Sequence, residues 1–79
     1  MKDQEILDRV RDLVAEEHDL RRLHAASETA VDPDRLRRLG EALDQCWDLL
    51  RQRRARASSG QNPEEARVRP ASRVEGYLQ

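Results

Sequence analysis

"LRRLGEALDQCWDLL", residues 36–50, carries Leu36, Leu39, Leu43, Cys46 and Leu50 at alternating steps of three and four. That spacing places all five on one stripe of an α-helix; a strand would alternate its sides at every second residue. It is the two-position heptad seam of a helix that packs along another helix. Just upstream, "DPD" at residues 32–34 supplies the start: Asp32 to cap, Pro33 for the first turn and Asp34 for the positive end of the dipole. Downstream the pattern fades in "RQRRARASSG", and the serines or Gly60 are expected to end the helix, which gives a span of 33–57. Gly40 is a weak spot inside it, about 1 kcal/mol worse than Ala, and allows a close neighbour.

A seam needs a partner, and the preceding residues provide one. Ile6, Val10, Leu13, Leu20 and Leu23, with Leu7 and Val14 on the flank, fall at helical spacing across residues 3–26. The connection between the two helices is about six residues, short enough to turn them antiparallel. With the turn centred near residue 30, Leu20 faces Leu39, Leu13 faces Cys46 and Trp47, and Val10 faces Leu50. The expected fold class is all-α: an antiparallel, coiled-coil-like hairpin over residues 1–57, followed by an irregular tail over 58–79. Its core or oligomer interface is expected from Ile6, Val10, Leu13, Leu20, Leu39, Leu43, Cys46, Trp47 and Leu50.

Charge supports the hairpin independently. Residues 1–34 hold 5 basic and 10 acidic side chains, net −5, whereas residues 35–57 hold 7 basic and 3 acidic, net +4. Folding lays a basic helix along an acidic one. In this register Arg51, Arg53, Arg54 and Arg56 come beside Asp3, Glu5, Asp8 and Asp12, and near the negative end of their own helix. Exposed pairs contribute only about 0–1 kcal/mol each, so the set aligns the helices more than it stabilises them. The alternative use of these arginines is phosphate contact in a nucleic-acid-associated regulator. Against it, the whole chain has a pI of about 6.1, whereas such domains are strongly basic. No aromatic residue interleaves with the arginines to stack bases.

At 79 residues the chain is one small domain, of a size at which a single core rarely supplies more than about 3–5 kcal/mol. A second chain is the expected support, because one Cys forms no internal disulfide and the two His lack the spacing of a zinc site. His18 and His24 stand six apart, on different faces of a helix. Cys46, on the seam, is expected to behave as a small hydrophobe. Glu17 and His24 hold seam positions, where a polar pair can set register or partner number; partial exposure is the plainer alternative. No phosphate-cradling glycine loop, nucleophile triad or isolated carboxylate pair is evident, so neither catalysis nor a cofactor is expected. The beginning of the chain has no apolar signal core and no stretch is long enough to span a membrane; a cytoplasmic protein is expected.

The tail changes character. Gly60, Pro63 and Pro70 break any long helix, Asn62 to Glu64 suit one short turn, and Val68 to Pro70 should be extended. Yet Val74, Tyr77 and Leu78 gather apolar surface after it. Either the tail folds back over the hairpin, where Trp47, Leu49 and Val14 are left partly uncovered, or it docks on another protein.

"LDQCWDLLRQRRA" (residues 43–55), "ARVRP" (66–70) and "VEGYLQ" (74–79) resemble a group of short actinobacterial proteins classed as a domain of unknown function. The likeness runs from "EEH" at residues 16–18 to the end and is most specific from residue 43 onward. The resemblance implies an all-helical bacterial protein whose tail is its own, with no activity, ligand or catalytic residue to carry over. The loop "SETAVDP" is where departure from relatives is expected. Taken together, the expectation is a non-catalytic scaffold or protein-interaction module whose partner is itself, most simply as a homodimer forming a four-helix bundle, with a further protein contact through the tail. Nucleic acid and membrane are not expected as partners.

Overall fold

The computed structural model describes residues 2–26 and 32–78, apart from the side chains of residues 26 and 75–78. Helix α1 spans Asp3–Ala26 and α2 spans Pro33–Ser58; a 3-10 turn follows at Pro63–Glu65 and a third helix, α3, at Ala71–Leu78. Among the described residues there is no strand. The chain is an all-α hairpin of two long helices, as the seam predicts.

Local chemistry sets the ends of α2. The Asp32 side chain accepts a hydrogen bond from the Asp34 amide at 3.0 Å, and Pro33 occupies the first turn. At the other end Gly60 takes φ +77°, the left-handed region that glycine enters without strain. Its amide donates to the Ala57 carbonyl at 3.3 Å, and the Gln61 amide reaches back to Arg56 at 2.8 Å. These two bonds form a Schellman cap, which satisfies carbonyls the helix would otherwise leave open.

Leu13, Leu20 and Leu39 form the buried centre of the hairpin, with Leu36, Ala42, Leu43 and Cys46 packed against them. Ile6, Val10, Leu49 and Val74 are buried as well. Among the described residues, Glu16 pairs with Arg35 at 3.1 Å and Asp3 with Arg53, tying the acidic helix to the basic one.

The tail is not irregular. Its 3-10 turn and α3 both pack on α2. The Asn62 side chain accepts from the Glu64 amide at 3.0 Å and starts the turn; Ala66 is extended, and residues 67–70 belong to no helix or strand. Pro70 then opens α3, its carbonyl accepting from the Arg73 and Val74 amides at 3.0 and 3.2 Å. Eight residues are too few for a stable free helix, so tertiary packing holds α3. Val74 provides that packing, with no exposed surface at all.

The backbone measures 52 × 25 × 14 Å. Two long helices and a short tail leave part of the seam's flanks exposed. Gly40 meets no close neighbour: a Cβ built there has nothing within 4 Å. Close approach within this chain is therefore not its reason.

Candidate functional site

Three features of α2 hold the tail. The first is a polar stripe at Gln45, Asp48 and Gln52, spaced to lie on successive turns of one side. The Gln45 amide donates to the Arg69 carbonyl at 3.0 Å, and the Gln52 amide to the Arg67 carbonyl at 2.8 Å. The two acceptors flank Val68 in the sequence, and both lie within reach of one stripe of α2. Between them Asp48 is 5% exposed, accepts from Gln52 at 2.8 Å and faces Arg69 Nε at 3.6 Å. Leu49, beside this stripe, is buried.

The second feature is Arg53, whose side chain is only 10% exposed. A buried guanidinium is tolerable only with its donors satisfied. Its Nε donates to Asp3, Nη1 to the Pro63 carbonyl at 3.3 Å and Nη2 to Glu64 at 3.1 Å. One side chain thus joins the start of α1, the end of α2 and the 3-10 turn. The Asp3 hydrogen bond raises the guanidinium pKa further, so the clasp stays charged. The third feature is Arg56, which reaches Gln61 and Glu65, both at 3.4 Å.

These contacts redistribute the expected arginine cluster. Arg53 and Arg56 are bound to the tail and to Asp3, while Arg51 and Arg54 stay exposed and make no ion pair among the described residues. Asp3 is the acidic residue of α1 that the cluster reaches; Glu5, Asp8 and Asp12 instead line a groove. The four arginines are thus divided, two engaged within the chain and two on its open surface. Elsewhere Glu17 pairs with Arg21 along its own helix at 3.7 Å, and His18 and His24 are exposed.

The expected core residues divide in two. Ile6, Val10, Leu13, Leu20 and Leu39 are buried; Leu43, Cys46 and Leu50 are half-buried. Burial pushes the Cys46 thiol pKa up, with nearby Arg9 opposing. Trp47 is 46% exposed and is no core anchor within one chain. The reason is the side on which the tail lies. By helical periodicity Ala42, Gln45 and Leu49 flank the α2 seam on one side, Trp47 and Arg54 on the other. The tail is clamped to the first side, covers Leu49 and leaves Trp47 bare with the tail in place. The side chains of Tyr77 and Leu78 lie outside the described residues; Val74, the third member of that set, is fully buried.

Two unlike faces result. On the tail side a groove of about 590 Å³ runs between α1 and α2, floored by Ile6, Ala42, Cys46, Leu49 and Val68. Its rim carries Glu5, Asp8 and Asp12 against the single cation Arg9. On the opposite side Leu7, Val14 and Trp47 are 40%, 50% and 46% exposed. They sit beside half-buried Leu43 and Leu50, with Arg51 and Arg54 one and two turns beyond Trp47.

The whole of residues 2–79 matches the family model described as Protein of unknown function (DUF2630). The chain belongs to this family. Uncharacterized proteins of Mycobacterium bovis and Mycobacterium tuberculosis are 53% identical to it over 77 residues, covering 95% of this chain and 88% of each relative. No solved structure matches. In this DUF2630 member Gln45 and Gln52 join segment 43–55 to segment 66–70 through the Arg69 and Arg67 carbonyls, and Arg53 joins it to the 3-10 turn at Glu64. Among the described residues no group of three or more His, Cys, Asp or Glu could hold a metal ion, and no helix is long and apolar enough to cross a membrane.

Proposed function

We propose that this protein is a small non-catalytic scaffold of the cytoplasm that works by self-association. A second hairpin covers the bare side of the first, so that four helices pack together. The observation that carries this reading is the set Leu7, Val14 and Trp47, exposed on the side of the seam that the tail does not reach. These three side chains stay 40%, 50% and 46% exposed within one chain, and a chain of 79 residues has little stability to spare. Another copy of the same hairpin has matching length and presents apolar surface of the same kind.

Sedimentation equilibrium across the micromolar range tests the proposal. The expected result is a mass of two or more 9.2 kDa chains, falling toward one chain when Trp47 is replaced by Glu. A folded 9.2 kDa monomer at every concentration would refute it.

A further inference from the structure

The two faces of the hairpin complement each other, and this decides which surface of the second copy covers the bare one. On α2, Trp47, Arg51 and Arg54 follow one another at steps of four and three, a stripe of one indole and two guanidiniums about 10.5 Å long. On α1, Glu5, Asp8 and Asp12 stand at steps of three and four along the groove rim, again about 10.5 Å. The groove has an apolar floor and, at about 590 Å³, lies within the size range of sites that bury a drug-sized molecule, so it has room for an indole. Three carboxylates and one arginine give its lining a net charge of −2. Among the described residues Arg51, Arg54 and Asp12 make no hydrogen bond or ion pair through their side chains.

Placing two copies bare face to bare face with their α2 helices parallel would set Arg51 and Arg54 of one near those of the other, like charge against like; with the helices antiparallel, the groove carboxylates would still be left unused. Placing the bare face of one on the groove face of the next offers the arginines carboxylates and the indole an apolar seat. We infer that the protein associates head to tail, with Trp47, Arg51 and Arg54 of one copy seated in the Glu5–Asp8–Asp12 groove of its neighbour. This rests on the self-association proposed above and specifies its geometry. Such a contact is heterologous, so an open assembly keeps a bare face unused at one end and a groove at the other, and growth continues into a ring or an open chain.

Charge reversal tests it, using exposed positions outside the Arg53 clasp and the tail clamp. Asp8→Lys with Asp12→Lys should weaken association at least tenfold, and so should Arg51→Glu with Arg54→Glu. The chain carrying all four changes should recover to within about threefold of the wild-type association constant, because its reversed surfaces again match. Circular dichroism of each variant checks that the hairpin is intact. If the wild-type chain associates but the groove pair changes nothing, or the fourfold variant is not restored, the head-to-tail geometry is overturned while self-association stands. A wild-type chain that does not associate overturns both.

Discussion

Replacing Val74 with Ala tests whether the tail is part of the fold. Val74 has no exposed surface and sits in a helix of only eight residues. Removing two buried methyl groups costs about 0.8 kcal/mol each in transfer, and the cavity left behind raises the total to about 2 kcal/mol. In a domain of this size that lowers the melting temperature by roughly 8–16 °C. The loss should be local before it is global. The Arg73 and Val74 amides, both bonded to the Pro70 carbonyl, should exchange with solvent roughly 30-fold faster, the factor that corresponds to about 2 kcal/mol. Thermal melting by circular dichroism and hydrogen exchange read the two effects. Melting within about 2 °C of wild type, with unchanged exchange at these amides, would refute the packing argument.

Gly40→Ala should stabilise α2 by about 0.5–1 kcal/mol, since a Cβ there meets nothing within 4 Å; a lower melting temperature in dilute solution would contradict this. Arg53→Lys keeps the charge and loses the fork that reaches Asp3, Pro63 and Glu64 together, so amide exchange should accelerate both in the first turn of α1 and at the 3-10 turn. Unchanged exchange at either place would show that the clasp does not join them. Cys46, its pKa raised by burial, carries less thiolate than an unhindered cysteine at about pH 8, so iodoacetamide should modify it several-fold faster in urea than in the native chain. Equal rates would contradict the packing of Cys46 against the core.

The long helices were legible because their signals are local: a repeat of three and four, an Asp-Pro start and a glycine stop. The clasp was legible in part. Continuing the seam from Cys46 and Leu50 by one more step lands on Arg53, but a charged residue at a helix end looks solvated until the chain that buries it is known. Gln45, Asp48 and Gln52 point away from the seam and resemble any exposed polar face. The clue to them was Leu49 in their midst, together with an extended X-Pro segment whose carbonyls need donors. Val74 stood out as apolar residue in a broken tail, yet the choice of side, which covers Leu49 and leaves Trp47 bare, depends on contacts up to 24 residues apart in sequence. No periodicity records such contacts.

The most direct test of association is the emission of Trp47, the sole tryptophan, measured as the protein is diluted from hundreds of micromolar to tens of nanomolar. Within one chain the indole is 46% exposed; covered by a second copy, it loses that water. The expected result is a blue-shifted, quencher-protected emission at high concentration that moves to longer wavelength and becomes accessible to iodide on dilution, at the same concentrations where the sedimenting mass falls. An emission maximum and iodide quenching that are the same, and solvent-exposed, at both ends of the dilution series would contradict it.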